Sequence, residues 1–275
     1  MDAFTRLTRR LAVEEINPGQ YHGGAGEAGV GGHNRLYGGL VAAQASMCAQ
    51  KQHPTFPIHS LHLYFVGPSS PGKEIVYSVT TLKQGTNFEA CTVTATQDTR
   101  VILQMQASFQ REEPGVYHLA ESSTPQSLPP PEELPNRDQL RGRKNWREMP
   151  IDVRMATEIT GDTAAPPFQE LWLKPAQPIP DDPHMHHAFL VYASDRSLLD
   201  TAWRPHAHKG QLAGASLDHI IWFHTPLRWD NWLQYSLQSP IAANSRGLAF
   251  GAFYDLQQQP IATVAQQGSL RYQPA

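Results

Sequence analysis

The same order of helix and strand patterns occurs twice in this chain, on either side of a proline-rich segment. Each half begins with a stretch that is apolar on nearly every helical face, residues 40–45 and residues 189–194, which is typical of a buried helix. Strand patterns follow at residues 59–65, 74–82, 88–96 and 101–110 in the first half, and at residues 216–224, 232–239, 247–254 and 261–272 in the second. The repeated order predicts an α+β architecture of two long helices, each wrapped by an antiparallel sheet. Joining the two sheets edge to edge would hide two strand edges from solvent.

The proline-rich segment marks the boundary between the two predicted units. It contains Pro125, Pro129, Pro130, Pro131 and Pro135, with little apolar periodicity between them. Proline fixes φ and lacks an N–H donor, so neither a central strand nor a long helix is expected here. We therefore predict an N-terminal domain at residues 1–112, a linker at residues 113–148 and a C-terminal domain at residues 149–275.

Composition and charge narrow the range of partners. Of the 275 residues, 40% are hydrophobic and 17% are charged, which is ordinary for a globular protein, and the formal net charge is −3. This charge gives no general attraction to nucleic acid or to an anionic membrane, so a phosphate-bearing ligand has to meet a local cluster of basic groups. No stretch approaches the roughly 20 apolar residues of a membrane span.

The two cysteines, Cys48 and Cys91, suit a reducing compartment, because two thiols cannot build a disulfide framework or a four-cysteine zinc site. The first residues lack the apolar core of a signal peptide, and the last residues lack a peroxisomal Ser-Lys-Leu ending. These patterns lead us to expect a cytoplasmic protein.

Two further patterns have features of a nucleotide-binding loop and of a zinc site. The glycine-rich stretch at residues 23–32 lacks the Lys-Ser/Thr ending of a nucleotide cradle, and we interpret it as a mobile loop. Four histidines, His59, His62, His219 and His224, lie at positions that alternate along predicted strands. Alternation scatters them between two faces, whereas a zinc site needs converging ligands, so we interpret them as hydrogen-bonded sheet residues.

Several segments, taken in order, resemble the acyl-CoA thioesterase II family. They are Tyr-Gly-Gly-Leu-Val-Ala-Ala-Gln-Ala at residues 37–45, His-Ser-Leu-His-Leu-Tyr-Phe at 59–65, Val-Tyr-Ala-Ser-Asp at 191–195, Leu-Asp-His-Ile-Ile-Trp-Phe-His at 217–224 and Ala-Gln-Gln-Gly at 265–268. The likeness runs from about residue 11 to residue 272 and weakens only in the linker. It implies a tandem, or double, hotdog fold and the hydrolysis of acyl-CoA to fatty acid and CoA.

The resemblance also implies which residues hold the nucleophilic water. Matched motif by motif, they are Asp195 at the end of the second apolar stretch, Ser216 before Leu-Asp-His, and Gln266 in the last strand. Family members often have Thr where this chain has Ser216, and Ser keeps the hydroxyl without the methyl that restricts its rotamer. Strand alternation places Gln266 on the more apolar face, with Ala262, Val264, Gly268 and Leu270. The family implies no metal and no organic cofactor, and it implies homo-oligomers, either dimers or tetramers.

Thioester hydrolysis needs an activated water and donors for the oxyanion, and the chain offers groups for both. The helix that begins at Gly38 and Gly39 presents backbone N–H groups, and the absence of side chains lets an acyl group approach. That helix belongs to the half opposite Asp195, so we expect the site at the interface between the halves. Arg246 is a candidate for contact with a CoA phosphate, and a surface salt bridge is an equally good interpretation. Family members usually have an Arg close to the position of Cys91, so we assign no phosphate contact there.

Two other functions stay open on the sequence. Related hotdogs act as enoyl-CoA hydratases, which generally require a His beside an acid, and the residues that follow Asp195 are Arg196 and Ser197. A hotdog can also bind acyl-CoA as a sensor without turnover. The intact set of Asp195, Ser216 and Gln266 argues against a sensor, which has no need to hold a water molecule.

Overall fold

A computed structural model describes residues 1–24, 35–120, 125–142, 149–158, 163–209 and 212–272 of the chain. Most of the glycine-rich stretch, which we interpreted as a mobile loop, lies outside these ranges. The first half contains helices α1 (Ala3–Leu11) and α2 (Gly38–Gln52) and strands β1 (Glu14–Asn17), β2 (Gln20–Gly23), β3 (Ile58–Phe65), β4 (Ile75–Gln84), β5 (Phe88–Gln97) and β6 (Arg100–Gln110).

The second half repeats this plan after a short helical segment in the linker. That segment contains a 3-10 turn (Pro131–Glu133) and helix α3 (Arg137–Leu140). Strands β7 (Ile151–Met155) and β8 (Phe168–Pro175) follow, then helices α4 (Pro183–Ser194) and α5 (Leu198–Trp203) and a 3-10 helix (Arg204–Lys209). The last elements are β9 (Leu212–Ser216), β10 (Asp218–Phe223), β11 (Leu233–Ala243), β12 (Arg246–Tyr254) and β13 (Pro260–Tyr272).

The strands of the described ranges form one antiparallel sheet in the order β1-β2-β4-β5-β6-β3-β10-β13-β12-β11-β8-β7, with β9 paired to β13. Strands of the first half occupy one side of this order and strands of the second half the other. They meet where β3 pairs with β10, in a register that places Leu61 opposite Ile221. The predicted edge-to-edge joining of two sheets in an α+β fold is therefore confirmed, while the domain boundaries at residues 112 and 149 stay predictions.

Helices α2 and α4 are buried on nearly all faces and pack against each other inside the sheet, as their apolar composition predicts. Helix α2 ends at Gln52, and its C-terminal cap His53 directly precedes Pro54, which disfavours helical backbone at the residue before it. Helix α4 begins with Pro183 at its first turn, and the Asp182 side chain accepts a hydrogen bond from the His184 N–H at 2.9 Å. None of the described helices combines the length and the apolar composition of a membrane crossing.

The predicted strand at residues 216–224 is wrong in one respect, because it is broken at Leu217. Both β9 and β10 pair with β13, but the register shifts by one residue between them, which is a β-bulge. The Asp218 carboxylate accepts a hydrogen bond from the Gln267 N–H at 2.6 Å and holds the bulge in place. A bulge redirects the side chain beside it, and here that side chain is Ser216.

Candidate active site

A cavity of about 400 Å³ lies between the two halves of the chain. Its apolar wall includes Val41, Phe65 and Ile102 from the first half and Leu199 from the second. Two polar side chains of the second half, Asp195 and Ser216, line the same cavity. An apolar pocket with a few converging polar groups is the usual form of a small-molecule site. Its position agrees with the interface at which the sequence places the reaction.

The structure brings Asp195, Ser216 and Gln266 together. The Asp195 Oδ1 atom accepts hydrogen bonds from Ser216 Oγ at 3.2 Å and from Gln266 Nε2 at 3.0 Å. The same Gln266 Nε2 also donates to Ser216 Oγ. Gln266 is 1% exposed, which confirms its inward orientation, and it is not one of the residues that line the cavity. It therefore contacts the other two residues from behind.

The backbone leaves the helical conformation directly after Asp195. Helix α4 ends at Ser194, and Asp195 is its C-terminal cap rather than an interior residue. Ser197 has a φ of 67°, in the left-handed region, so the chain turns before α5 begins. A carboxylate at a helix C-terminus is disfavoured by the helix dipole. The N-terminus of α2 offsets this, because the Gly39 N–H donates to Asp195 Oδ2 at 2.9 Å.

The electrostatic environment of Asp195 raises the pKa of its carboxyl group above the ordinary value of 3.8. Removal from bulk water is the largest cause and disfavours the ionised form. His219 and the hydrogen bonds from Gln266, Gly39 and Ser216 act in the opposite direction. A carboxylate with a raised pKa is a stronger base than a surface aspartate, as general base catalysis requires.

The two glycines that begin α2 have different surroundings. Gly38 lines the cavity, where a Cβ atom would lie 3.0 Å from Phe65 Cζ and 3.1 Å from Asp195 Oδ2. Gly39 is not a lining residue, and a Cβ atom there would lie 2.6 Å from the Tyr192 carbonyl oxygen and 2.6 Å from Tyr37 Cε1. Close packing and the hydrogen bond to Asp195 therefore explain Gly39. Of the two glycines, only Gly38 lies on the cavity wall. The close approach of an acyl group to these glycines stays a prediction.

The arginine that lines the cavity beside Asp195 is not the one that the sequence suggests for contact with CoA phosphates. Arg246 is exposed and lines a separate cavity of about 180 Å³ with Trp203 and His206, not the main cavity. Cys91 is 0% exposed in the core of the first half, so no ligand contact is made from that position. Arg35, which the sequence reasoning missed, is exposed and lines the main cavity. The sequence could have indicated Arg35, because it lies two residues before Tyr37, where the motif at residues 37–45 begins.

The four strand histidines have separate partners. His59 Nε2 lies 2.8 Å from Ser108 Oγ, His62 packs edge-on against Trp222, and His224 Nε2 lies 2.8 Å from Thr263 Oγ1. His219 is different because it is fully buried and contacts Gln266. The interpretation as hydrogen-bonded residues holds for His59, His219 and His224, whereas His62 makes a ring contact. His219 also belongs to the surroundings of Asp195.

A buried ion pair attaches the linker to the turn that follows Asp195. The Arg196 guanidinium donates to Asp138 Oδ2 at 3.0 Å, with side chains that are 7% and 0% exposed. Nearby, Arg137 and Arg141 each donate to Asp200 Oδ2 at 2.7 Å. These contacts fix α3 against the chain segment on which Asp195 lies.

Comparisons with known proteins match both halves of the chain. A family model described as acyl-CoA thioesterase matches residues 141–269, and one described as acyl-CoA thioesterase N-terminal domain matches residues 28–110. The chain is 34% identical over 262 residues to acyl-coenzyme A thioesterase 8 of Mus musculus, covering 87% of this chain and 81% of that protein. It is 32% identical to acyl-CoA thioesterase 2 of Haemophilus influenzae, covering 98% of this chain and 99% of that protein. An acyl-CoA thioesterase II structure from Mycobacterium marinum superposes with a TM-score of 0.81 at 32% identity, over 97% of this chain and 98% of that chain.

Proposed function

The chain belongs to the acyl-CoA thioesterase II family, and from that premise we propose that it hydrolyses acyl-CoA to fatty acid and CoA with a water molecule activated by Asp195. The observation that supports this most directly is the cluster of Asp195, Ser216 and Gln266 beside an apolar cavity between the two halves. The cavity wall suits an acyl chain, and the carboxylate supplies a base next to the place where the thioester carbonyl would lie.

In the proposed reaction, the Asp195 carboxylate accepts a proton from a water molecule in the cavity while the water oxygen attacks the thioester carbonyl carbon. The resulting tetrahedral intermediate carries its negative charge on the former carbonyl oxygen. The backbone N–H of Gly38, at the N-terminus of α2 and on the cavity wall, is the proposed donor to this oxyanion, because the Gly39 N–H already donates to Asp195. The carbon–sulfur bond then breaks, and the proton held by Asp195 passes to the departing CoA sulfur.

The three side chains divide this work according to their positions. We propose that Asp195 and Ser216 contact the water directly, which their place on the cavity wall supports. Gln266 holds the Asp195 and Ser216 oxygens from behind, and its direct contact with the water stays a prediction. We assign Arg35 to the phosphates of CoA because it lines the cavity and a guanidinium suits phosphate geometry. The role predicted for Arg246 would require the CoA to extend beyond the main cavity.

Release of free thiol from acyl-CoAs of several chain lengths tests the function. A thiol reagent is suitable because Cys48 and Cys91 are both buried and contribute little background while the protein is folded. Hydrolysis predicts one thiol for each thioester lost. Loss of enoyl-CoA absorbance without thiol would indicate the hydratase alternative, and binding of acyl-CoA with neither signal would indicate a sensor.

Replacement of Ser216 tests its hydroxyl. Ser216→Ala is expected to lower kcat by about 10-fold to 100-fold, because a hydrogen bond to a charged group is lost. Ser216→Thr keeps the hydroxyl and adds a methyl that restricts its rotamer, so kcat is expected to stay within about threefold of the original. Steady-state thiol release measures both. Equal rates for the original protein and Ser216→Ala would remove Ser216 from the mechanism.

The dependence of hydrolysis on pH tests the state of Asp195. Only the carboxylate accepts a proton, so kcat/KM is expected to rise with pH through the raised pKa of Asp195 and then level off. The Gln266 hydrogen bond lowers this pKa, so in Gln266→Leu the rise is expected to move to higher pH. Loss of thioester absorbance, followed from about pH 4 to about pH 9, gives both profiles. A rate that falls with pH over the acidic range would contradict the assignment.

Two further parts of the proposal concern the state of the protein in the cell. We propose a homo-oligomer, a dimer or a tetramer of double hotdogs, on the family resemblance, and light scattering after gel filtration measures it. A cytoplasmic location is proposed from the two reduced, buried cysteines.

A further inference from the structure

His219 makes two hydrogen bonds that converge on the residues around Asp195. It lies on β10 and is 0% exposed. Its Nδ1 atom lies 3.0 Å from Gln266 Oε1, and its Nε2 atom lies 2.8 Å from Ser194 Oγ. Gln266 touches Asp195 directly, and Ser194 precedes it in the chain. His219 itself does not line the cavity, so any effect on the reaction passes through these neighbours.

The orientation of the Gln266 amide depends on its neighbours. An amide has a donating end and an accepting end, and an ionised carboxylate only accepts. The NH2 group of Gln266 must therefore face Asp195, which leaves Oε1 facing His219 Nδ1. For this contact to be a hydrogen bond, Nδ1 must carry a hydrogen. The reverse orientation would place Oε1 against the carboxylate, where the two oxygens repel.

Ser194 allows His219 to keep that hydrogen whether or not the ring is charged. In the neutral ring with hydrogen on Nδ1, Nε2 accepts a hydrogen bond from the Ser194 hydroxyl. In the charged ring, Nε2–H donates to Ser194 Oγ, and that hydroxyl donates to the Val191 carbonyl oxygen at 2.9 Å. Burial lowers the pKa of His219, while Asp195 acts in the opposite direction. The donor toward Gln266 is present in either state.

We infer that His219 is a positioning residue that fixes the Gln266 amide with its NH2 group toward Asp195 and Ser216. This inference rests on the proposed hydrolysis, because it concerns the same site. Gln266 in the correct orientation restrains the Asp195 carboxylate in the direction from which it receives the water proton. Without the His219 donor, the Gln266 oxygen loses its hydrogen bond, and only the contacts of the NH2 group with Asp195 and Ser216 restrain the amide.

Replacing His219 by Asn or by Gln distinguishes the positioning role from a role in core packing alone. In His219→Asn, the side-chain NH2 lies close to the place of Nδ1 and can still donate to Gln266. In His219→Gln, the NH2 lies close to the place of Nε2, which keeps the Ser194 contact and loses the Gln266 contact. Gln resembles His more in size, so a role in packing predicts that His219→Gln is the better tolerated variant. The positioning role predicts the opposite order.

The measurement is steady-state thiol release with a saturating acyl-CoA series. His219→Gln is expected to lower kcat by about 10-fold to 100-fold with KM within about threefold, and His219→Asn to stay within about fivefold of the original kcat. Thermal unfolding of each variant shows whether it is folded at the assay temperature. A His219→Gln variant as active as His219→Asn, or more active, overturns the inference.

A double-mutant cycle with Gln266→Leu gives a second test. If His219 acts only through Gln266, adding His219→Gln to Gln266→Leu is expected to cause no further loss of kcat. Losses that multiply in the double variant overturn the inference. If His219→Gln does not fold, the same cycle is run with His219→Leu. Failure of the original protein to release thiol contradicts the proposed function itself, which separates the two failures.

Discussion

Asp195→Asn is expected to lower kcat for acyl-CoA hydrolysis by at least about 100-fold, the usual contribution of a positioned general base. The amide has nearly the same shape as the carboxylate, and its oxygen can still accept hydrogen bonds from Ser216 and Gln266. Its NH2 group takes the place of the oxygen that accepts from the Gly39 N–H, and the amide cannot take a proton from water. KM is expected to change little, because the apolar wall of the cavity is unaltered. Steady-state thiol release measures both constants.

The stability of Asp195→Asn distinguishes lost chemistry from lost folding. Its surroundings raise the pKa of Asp195 in the folded protein, so at neutral pH the ionised carboxylate is less favourable in the folded than in the unfolded state. Removing the charge relieves this cost and offsets the lost acceptor for the Gly39 N–H, so the unfolding temperature is expected to stay close to that of the original protein. Asp181→Asn is the matched control, because Asp181 is 85% exposed and pairs with the exposed Arg228. The control is expected to stay within about twofold of the original kcat, since surface ion pairs contribute little. Activity of Asp195→Asn within tenfold of the original would contradict the proposed role.

Asp138→Leu is expected to lower the free energy of unfolding by about 3–5 kcal/mol. Leu has the same branched shape, but it leaves the Arg196 guanidinium buried beside an apolar side chain, without the carboxylate at 3.0 Å. A buried charge that loses its partner keeps its desolvation cost and loses the compensating attraction. Urea unfolding, compared at equal m-values, measures the change.

Two further variants make the Asp138 result specific. Replacing the pair together, as Asp138→Leu with Arg196→Met, is expected to recover much of the stability, because neither charge of this pair remains buried. Asp181→Asn, which breaks an exposed pair, is expected to change stability by less than about 1 kcal/mol. A loss of under about 1 kcal/mol in Asp138→Leu would show that the linker pair does not hold the turn after Asp195. Such a result would leave the catalytic proposal untouched.

Much of the fold could be predicted from repeated patterns of apolar residues. The two buried helices, the main strands and the edge-to-edge joining follow from local composition and from the need to cover strand edges. Strands β7 and β8 were both missed. Strand β7 has only five residues beside a proline-rich segment, and β8 directly follows Pro166 and Pro167 and ends at Pro175, so both give a weak signal. Short elements such as β1, β2 and α5 depend on tertiary contacts rather than on their own sequence.

The site was predictable only in part from the residues themselves. Strand alternation correctly turns Gln266 inward, because one long strand carries the pattern. Alternation could not orient Ser216, since the bulge beside it depends on the contact between Asp218 and Gln267. The partner of His219 was also hidden, because Gln266 lies on the neighbouring strand and their pairing depends on register. Local sequence patterns therefore predict which side chains of a strand face inward. Tertiary contacts determine which of those side chains contact each other.

A single turnover with enzyme in excess over acyl-CoA, carried out in ¹⁸O-labelled water, tests direct attack by water at the thioester carbonyl. Mass spectrometry of the products and of the quenched protein follows the label. Attack by water held at Asp195 predicts a fatty acid with one ¹⁸O atom and a protein that carries neither label nor acyl group. An unlabelled fatty acid with ¹⁸O in the Asp195 carboxylate, or an acyl group trapped on the protein, would contradict it.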